Sequence, residues 1–202
     1  MKLSSYTGGM VETNAYLVET PDGNVLIDAP EGVADWLERK GVRVDEVLLT
    51  HQHYDHVMDA ARMKDAGATL RAFADYSPEL TLEVSARAWG MPIGVKPYEV
   101  DAKIDVERAL VVCGLSFGVA HVPGHATDGL TFYLADAGVL FSGDTLFAGS
   151  IGRTDLPGGD TQRLLDGIDK HIMTLPPETR VLSGHGPATT VGDEAKRNPY
   201  LA

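Results

Sequence analysis

Cysteine and long apolar runs are nearly missing from this chain of 202 residues. The single cysteine, Cys113, has no partner within the chain, which excludes an intrachain disulfide and favours a reducing compartment. No stretch approaches the roughly 20 apolar residues that span a bilayer, and residues 1–14 hold no apolar core of signal-peptide length. We therefore expect a cytoplasmic protein rather than a membrane protein or a disulfide-rich secreted module.

Basic residues are also scarce. Lys and Arg number 17 against 29 Asp and Glu, so the formal net charge is -12. Such a surface repels phosphate backbones and anionic lipid. We expect a small-molecule substrate, and neither nucleic acid nor a membrane as partner. An acidic surface is compatible with a cationic pocket inside the protein.

Internal repeats and low-complexity tracts are lacking as well, and the composition never shifts abruptly enough to mark a linker. The length fits one domain that buries a substantial core without disulfides or a structural metal. We therefore predict a single domain over residues 1–202.

The first half of the chain alternates short apolar runs with helical patterns. Turn residues at 21–23 predict a hairpin, and glycines that follow helical patterns predict helix ends. The predicted strands of this half cover 14–19, 24–29, 45–50 and 69–74, and the predicted helices cover 32–40, 55–66 and 78–89. The second half predicts strands over 98–104, 109–113, 115–122, 129–135, 139–142 and 180–183, with a helix over 161–173 and a short helix after 191. This order favours a sheet-rich core with helices on its outer faces.

The densest group of chemically active side chains follows the strand predicted at 45–50. It reads Thr50-His51-Gln52-His53-Tyr54-Asp55-His56. His51 and His53 stand two apart on a loop and can point the same way, while a helix that begins near Asp55 aims Asp55 and His56 at a second point close by. Imidazole and carboxylate ligands suit Zn, Fe, Mn or Co. Ordinary polar loop residues are the alternative interpretation.

Three further segments place a polar side chain beside glycine at the end of a predicted strand. They are His121-Val122-Pro123-Gly124-His125, Ser142-Gly143-Asp144-Thr145 and Ser183-Gly184-His185-Gly186-Pro187. Glycine allows tight turns and close backbone approach around a shared centre. With the first group they could supply seven ligands, which is enough for two adjacent metal sites: His51, His53, Asp55, His56, His125, Asp144 and His185.

These segments resemble the metallo-β-lactamase superfamily in their order and separations. The similarity rests on T-H-Q-H-Y-D-H, H-V-P-G-H-A-T-D-G, S-G-D-T-L-F and S-G-H-G-P. The stretches at 147–160 and 184–194 resemble the short bacterial glyoxalase II-like hydrolases, which are hydroxyacylglutathione hydrolases. The resemblance implies an α/β fold, a four-layer αββα sandwich with the metals at one edge of two packed sheets.

The same resemblance implies a ligand set for two divalent metal ions. It assigns His51, His53 and His125 to the first metal, Asp55, His56 and His185 to the second, and Asp144 as the bridge. Zinc is the expected metal, with iron or manganese as alternatives, and Asp55 and Asp144 are the expected catalytic carboxylates. His121 is then expected to be a strand residue that either packs in the fold or supports a metal ligand. His171 is expected to be a solvated helix residue and Cys113 a small buried strand residue.

Asp28, at the end of the strand predicted over 24–29, is expected to orient a ligand histidine from behind. The family often has a carboxylate at this position. A simple turn residue is the alternative.

Two cations that share a water lower its pKa, and the resulting metal-bound hydroxide can attack a carbonyl. A thiolate then leaves without a strong general acid, since a thiol has a pKa of about 8.5. The resemblance therefore implies hydrolysis of a glutathione thioester, S-D-lactoylglutathione, to D-lactate and glutathione.

The expected contacts to this substrate are Arg153, Lys196, Arg197 and Tyr200. Longer glyoxalase II enzymes carry a C-terminal helical domain with basic residues for glutathione, and this chain ends soon after His185. Arg153 could pair a carboxylate of glutathione through its fork of donors. An internal pair with Asp155 is the alternative for that side chain.

Other activities of the same fold stay open. Persulfide dioxygenases share the G-R-T-D segment and hold one iron with two His and one Asp, which here would be His51, His125 and Asp144. The segments L-P-G-G-D and P-A-T-T favour the hydrolases. A lactonase remains an alternative, a β-lactamase is disfavoured by the lack of a secretion signal, and a nuclease by the charge.

Overall fold

The computed structural model describes residues 1–91, 93–106 and 108–201, which divide into two compact units. Unit 1 comprises Met1–Ile104 and Val111–Leu115, and unit 2 comprises Asp105–Leu110 and the chain from Ser116 onward. The strands are β1 Lys2–Gly8, β2 Thr13–Thr20, β3 Gly23–Ile27, β4 Glu46–Leu48, β5 Thr69–Ala72, β6 Ala102–Lys103, β7 Leu110–Val112, β8 Leu115–His121, β9 Leu130–Leu134, β10 Val139–Gly143, β11 Leu146–Phe147, β12 Ser150–Ile151, β13 Arg180–Ser183 and β14 Thr189–Thr190. The α-helices are α1 Val33–Lys40, α2 Tyr54–Val57, α3 Ala60–Asp65, α4 Glu83–Ala88, α5 Thr161–His171 and α6 Val191–Arg197, and Ala135–Ala137 forms a 3₁₀ turn.

Unit 1 is built on a six-stranded sheet in the order β1-β2-β3-β4-β5-β6. The first three strands are antiparallel, whereas β3 to β6 run parallel to one another. Helices α1, α2 and α3 pack on this sheet through Val33, Leu37, Val57 and Met63, all buried. Each such side chain stabilises the fold by about 1.5–3 kcal/mol when fully buried. Because β3 and β4 are parallel, their carboxyl ends lie at the same edge of the sheet.

The helix predicted over 55–66 is wrong in its length, because the chain forms two short helices, α2 and α3. The Asp59 backbone N–H donates to the Ala29 carbonyl at 2.9 Å, and the Asp59 carboxylate accepts from the Ala34 N–H at 3.0 Å. These bonds, to Ala29 before α1 and to Ala34 in its first turn, hold Asp59 between the two short helices. The helix predicted over 78–89 also shortens, to α4, since Leu82 adopts a left-handed backbone with φ +63°.

Several strand predictions differ as well. The strand predicted over 98–104 is limited to the two residues of β6. In the opposite sense, β1 is missing from the predicted strands, because its sequence is polar and its side chains are mostly exposed or half-buried. Its seven backbone pairs with β2 make it the edge strand of the sheet, where polar side chains are tolerated.

The second sheet runs β14-β13-β10-β9-β8-β7, and α5 packs on unit 2 through Leu164, Ile168 and neighbouring core residues. Asp160 caps α5, since its carboxylate accepts from the Arg163 N–H at 3.1 Å. The short helix predicted after residue 191 is α6, and the last residue of the predicted tail, Ala202, lies outside the described residues. Across the described ranges, the helices are all too short or too polar to cross a membrane.

Candidate metal-ligand clusters

Unit 1 gathers four of the seven predicted ligands at the carboxyl end of β4. The chain leaves β4 at Leu48, passes through His51 and His53, and enters α2, which carries Asp55 and His56. This short connection holds all four side chains at one sheet edge. His51, His53 and His56 are buried, and Asp55 is partly exposed. We call these four residues the first cluster.

The imidazole rings of the first cluster contact one another. The His51 and His53 rings meet edge to face with centroids 4.6 Å apart, and the His51 and His56 centroids are 4.1 Å apart. The Asp55 Oδ2 and His56 Nε2 atoms are 3.4 Å apart. Two donors that are each bound about 2.1 Å from a tetrahedral ion are also about 3.4 Å apart. The spacing of Asp55 and His56 therefore fits two ligands of one ion.

The carboxylate of Asp28 organises the first cluster from behind. It follows β3, and because β3 and β4 are parallel it lies beside Thr50. Asp28 accepts from the Thr50 N–H at 2.7 Å, the Thr50 hydroxyl at 2.8 Å and His56 Nδ1 at 2.9 Å. A carboxylate can only accept, so His56 carries its hydrogen on Nδ1 and its lone pair on Nε2.

Thr50 fixes the tautomer of His51 in the same way. Its hydroxyl hydrogen is committed to Asp28, so at 3.2 Å the hydroxyl oxygen accepts from His51 Nδ1. The lone pair of His51 is then on Nε2 as well. Neutral imidazoles that present Nε2 in this way are the metal-binding form of histidine.

Two more side chains support the first cluster. Thr13, the first residue of β2, donates its hydroxyl hydrogen to Asp55 Oδ2 at 2.7 Å. Gln52 is fully buried between His51 and His53 in sequence, and it donates to the Ala74 carbonyl at 3.1 Å. Its amide oxygen accepts from the Tyr98 hydroxyl at 2.9 Å. These bonds hold the loop that carries the histidines.

Tyr54 opens α2 between His53 and Asp55. Burial raises the pKa of its hydroxyl above the ordinary value of 10.0, and the charge of Asp55 raises it further. The hydroxyl therefore stays protonated at neutral pH and can act as a hydrogen-bond donor.

Unit 2 gathers the other three predicted ligands, which we call the second cluster. His125 follows β8, Asp144 follows β10 and His185 follows β13. Strands β8, β10 and β13 point the same way, because β9 is antiparallel to β8 and β10, while β13 is parallel to β10. Their carboxyl ends therefore meet at one edge of the sheet.

One oxygen of Asp144 is equally close to two imidazoles. Asp144 Oδ2 is 3.4 Å from His125 Nε2 and 3.4 Å from His185 Nε2. Both distances equal the donor spacing around a tetrahedral ion, about 3.4 Å. Imidazole nitrogen and carboxylate oxygen are also the donor types that zinc, iron and manganese accept. The second cluster thus fits a carboxylate that shares a metal ion with each of the two histidines.

The His125 ring is oriented by the segment that follows β12. Its Nδ1 donates to the Arg153 backbone carbonyl at 2.8 Å, which leaves the lone pair on Nε2. Gly152 permits this approach, since a Cβ there would lie 1.9 Å from the Asp144 carbonyl oxygen and 3.0 Å from the His125 Cβ. A side chain at residue 152 would therefore displace both ligands.

His185 is the most exposed ligand of the second cluster, and the hairpin of β11 and β12 borders it. The Phe147 ring meets the His185 ring edge to face with centroids 6.2 Å apart. This hairpin is tied to α6 by the buried Glu194, whose Oε2 accepts from the Gly149 N–H at 2.8 Å, and Asn198 donates to the Ser150 carbonyl at 3.0 Å. The C-terminal helix thus supports the aromatic wall of His185.

The predicted substrate contact Arg153 pairs with its neighbour Asp155. Its Nε and Nη2 donate to the two carboxylate oxygens at 2.7 and 2.8 Å. Hydrogen bonding from Arg153 lowers the pKa of Asp155 from 3.8 to about 2. The internal pair, one of two interpretations of this side chain, is therefore formed in the structure.

The remaining predicted substrate contacts lie on the surface at the end of the chain. Lys196 and Arg197 are exposed in the last turn of α6, and Tyr200 follows with 54% of its surface exposed. They are thus accessible to a ligand in solution.

The three other residues singled out by the sequence have different surroundings. His121, the last residue of β8, is half-buried, and its Nε2 contacts the Thr127 carbonyl at 2.9 Å. His171 is half-buried, which corrects its prediction as solvated, and burial lowers its pKa. Cys113 is half-buried in the turn after β7 with φ +48°, so its prediction as a buried strand residue is wrong.

Sequence reasoning missed the roles of Thr13, Thr50, Gln52, Glu194 and the Arg153 carbonyl. Thr50 and Gln52 lie within the ligand motif, where their position could have indicated a supporting role. Thr13 is 42 residues from its partner Asp55, and Glu194 is 45 residues from Gly149. No local pattern marks such pairs.

Comparison with known proteins identifies relatives over the full chain. A family model described as the metallo-beta-lactamase superfamily matches residues 8–185. The probable metallo-hydrolase YqgX of Bacillus subtilis is 35% identical, and the alignment covers 100% of this chain and 98% of that protein. The hydroxyacylglutathione hydrolase GloC of Haemophilus influenzae is 32% identical, with 94% and 93% covered.

Solved structures show the same fold. The BLEG-1 B3 metallo-beta-lactamase has a TM-score of 0.89 with 36% identity, and 99% of each chain is covered. TTHA1623 in a di-iron-bound form has a TM-score of 0.85 with 39% identity over 98% of this chain and 100% of its own. ETHE1 from Myxococcus xanthus has a TM-score of 0.79 with 26% identity over 98% and 84%. The predicted α/β fold class of the metallo-β-lactamase type is thereby confirmed.

Proposed function

Because the chain belongs to the metallo-β-lactamase superfamily, we propose that it hydrolyses glutathione thioesters with two divalent metal ions. The observation that carries this proposal is the position of Asp144 Oδ2, 3.4 Å from Nε2 of both His125 and His185. A carboxylate oxygen at ligand spacing from two imidazoles suits a ligand shared by two ions.

The first and second clusters contain the donors that two ions require. We assign His51, His53 and His125 to one ion, Asp55, His56 and His185 to the other, and Asp144 to both. Bound there, the cations would polarise the substrate carbonyl and lower the pKa of the water that attacks it. We propose zinc as the metal. Iron is the alternative, because TTHA1623 has been solved in a di-iron-bound form.

The chain's own contribution is to hold neutral imidazoles in place before substrate arrives. Asp28 sets the tautomer of His56 directly and that of His51 through Thr50, and the Arg153 carbonyl does the same for His125. Ligands fixed in this way need little rearrangement during the reaction.

Hydrolysis of a thioester breaks the carbon–sulfur bond and forms a carbon–oxygen bond with one water molecule. One water proton ends on the thiol, and the other is released when the product carboxylic acid ionises. The thiolate is a good leaving group, with a conjugate thiol of pKa about 8.5, so no strong general acid is needed. Metal ions held by the assigned ligands would supply the activated water and polarise the carbonyl, which is sufficient for such a substrate.

Glutathione is proposed as the thiol because the Haemophilus influenzae relative is named a hydroxyacylglutathione hydrolase. The two carboxylates of glutathione require cationic partners. Lys196 and Arg197 are exposed in α6 with Tyr200 close in sequence, and we assign them this role. Arg153 would take part only by leaving Asp155.

Two other activities are each favoured by one observation. The similarity to BLEG-1, a B3 metallo-beta-lactamase, favours β-lactam hydrolysis. The G-R-T-D segment at residues 152–155, which resembles persulfide dioxygenases, favours oxidation of glutathione persulfide by a single iron. Both would use part of the same set of ligands.

The test is the loss of thioester absorbance of S-D-lactoylglutathione with purified protein whose metal content is measured in the same sample. Rapid turnover with about two metals per chain supports the proposal. Absent thioester turnover, cleavage of a chromogenic cephalosporin would assign β-lactam hydrolysis. One iron per chain with oxygen uptake on glutathione persulfide would assign the dioxygenase.

A further inference from the structure

A cleft of about 250 Å³ opens in unit 1 beside the first cluster. Its side-chain walls are formed by Met10, Tyr54, Met58 and Ile93, with Glu31 and Asp55 at its polar positions. Asp55 belongs both to this cleft and to the candidate metal ligands. A group bound in the cleft would therefore lie beside the first cluster.

The chemistry of the walls favours an apolar, uncharged occupant. Two methionines, an isoleucine and a tyrosine ring supply the contact surface, and methionine adapts to chains of varied shape. Among the described residues that line the cleft, none is Lys, Arg or His, while Glu31 adds a negative charge. A carboxylate of glutathione would thus meet repulsion here rather than a partner.

The cleft is small compared with a tripeptide. Small-ligand sites measure about 300–1,000 Å³, so 250 Å³ lies just below this range. An acyl chain of several carbons is an occupant of suitable size. Glutathione, which is larger, would extend beyond the cleft.

Two walls of the cleft are held by one buried carboxylate, that of Glu83. Its Oε1 accepts from the Val95 N–H at 3.0 Å, just after Ile93 and Gly94. Its Oε2 accepts from the Thr81 hydroxyl at 2.7 Å, and the Thr81 carbonyl accepts from the Tyr54 N–H at 3.2 Å. These wall segments are therefore fixed before a ligand binds.

The third wall differs, because Met10 stands on the turn between β1 and β2 with 89% of its surface exposed. An unbranched side chain so exposed in the free protein can fold over an apolar ligand and lose contact with water. It contributes apolar surface that the free protein leaves in solvent.

We propose that this cleft binds the acyl chain of the substrate, so that the enzyme prefers thioesters of unbranched apolar acids of several carbons. The inference rests on the proposed thioester hydrolysis and names its acyl substrate class. Lactoyl, which is short and polar, would use the cleft poorly. From here on we call it the acyl cleft.

The experiment compares thioesters of N-acetylcysteamine, a small thiol that removes glutathione recognition from the comparison. We expect kcat/KM of the metal-loaded protein to rise about threefold for each methylene from acetyl to hexanoyl. Glutaryl, which has a carboxylate where hexanoyl has its end, should be about 20-fold poorer than hexanoyl or worse. Equal kcat/KM along the series would overturn the inference and leave thioester hydrolysis standing.

Two variants assign the preference to the acyl cleft. Met10→Ser should reduce the ratio of hexanoyl to acetyl kcat/KM about fivefold. Met91→Ser is the matched control, because Met91 is also exposed and does not line the cleft, and it should keep the ratio. Glu31→Gln should narrow the gap between hexanoyl and glutaryl. An equal fall in the ratio of hexanoyl to acetyl kcat/KM in both methionine variants would contradict the assignment of the preference to the acyl cleft.

A binding measurement separates this inference from the proposed function. S-hexylglutathione and S-methylglutathione are thioethers that cannot be hydrolysed, and calorimetry on the metal-loaded protein compares their affinities. We expect S-hexylglutathione to bind at least tenfold more tightly, and Met10→Ser to reduce that difference. If no thioester is cleaved, the proposed function fails, and the difference between the two affinities is then the only test of the acyl cleft. Equal affinities would show that the cleft does not bind the alkyl chain.

Discussion

The Asp28 carboxylate accepts a hydrogen bond from His56 Nδ1 at 2.9 Å, and this contact joins residues 28 positions apart. The same carboxylate accepts from the Thr50 hydroxyl, which in turn accepts from His51 Nδ1. One buried acid therefore sets the tautomer of two candidate metal ligands. Asp28 holds this position with a left-handed backbone, φ +60°, which costs of order 1–3 kcal/mol for a residue other than glycine.

Replacing this acid tests its role directly. Asp28→Asn puts an amide NH₂ where one carboxylate oxygen accepts, so one buried donor loses its acceptor. We expect metal affinity to fall about 10- to 100-fold and the free energy of unfolding to fall by about 1–3 kcal/mol. Competition with a chelator measures the first quantity at a temperature where both proteins are folded. Asp45→Asn, at a half-exposed acid near the other end of β4, is the control, and unchanged metal affinity in Asp28→Asn would contradict the role.

Asp144 is expected to matter for both metal content and turnover. Asp144→Asn keeps the size of the side chain but removes the charge that two cations would share. Turnover should fall about 100-fold or more, and metal content should fall from two per chain toward one. Elemental analysis and thioester assays check these outcomes. Asp136→Asn, on an exposed 3₁₀ turn of the same unit, should leave both unchanged, and full activity of Asp144→Asn would exclude a bridging role.

The pair of Arg153 and Asp155 predicts a specific pH dependence. The pKa of Asp155 is about 2, below its ordinary 3.8, so the pair stabilises the fold fully above pH 4. That stabilisation is lost as the pH falls from about 4 through 2, because the carboxylate then takes up a proton. In Arg153→Ala the pKa of Asp155 should return toward 3.8, which carboxyl NMR titration measures.

The kinetics of the same variant distinguish the two interpretations of Arg153. A rise in KM much larger than the fall in kcat would assign the side chain to substrate binding. An Asp155 pKa that stays near 2 in Arg153→Ala would show that the pair is not its cause.

Gly124 is expected to be irreplaceable for steric reasons. It has φ +136°, and a Cβ there would lie 2.5 Å from the Asp160 carbonyl oxygen and 2.6 Å from the Leu164 nitrogen. Gly124→Ala should lower the free energy of unfolding by about 3 kcal/mol or more and displace the adjacent ligand His125. Thermal unfolding measures the loss.

Gly138→Ala provides the control for backbone strain alone. Gly138 also has a left-handed backbone, φ +61°, but a Cβ there would meet no atom of the described residues within 4 Å, its chain neighbours aside. The cost should be about 1 kcal/mol. Equal losses in the two alanine variants would refute the steric account of Gly124.

Much of the fold was predictable because it is encoded locally. The hairpin of β2 and β3 follows from the turn residues at 21–23, and α1 ends at Gly41, which has the left-handed backbone that glycine favours. The interruption between α2 and α3 was not predictable, since it depends on bonds of Asp59 with Ala29 and Ala34. The helical sequence pattern of residues 55–66 does not indicate these hydrogen bonds.

The sequence by itself determined the donor types and the local grouping of His51, His53, Asp55 and His56, because these residues share one strand-to-helix connection. Only the tertiary structure decided that Asp28 and Thr13 support them and that Asp144 Oδ2 lies at equal distance from His125 and His185. The physical reason is that periodicity and turn chemistry act over a few residues. Which strand ends meet at a sheet edge depends on strand order and direction, and these are settled by packing of the whole chain.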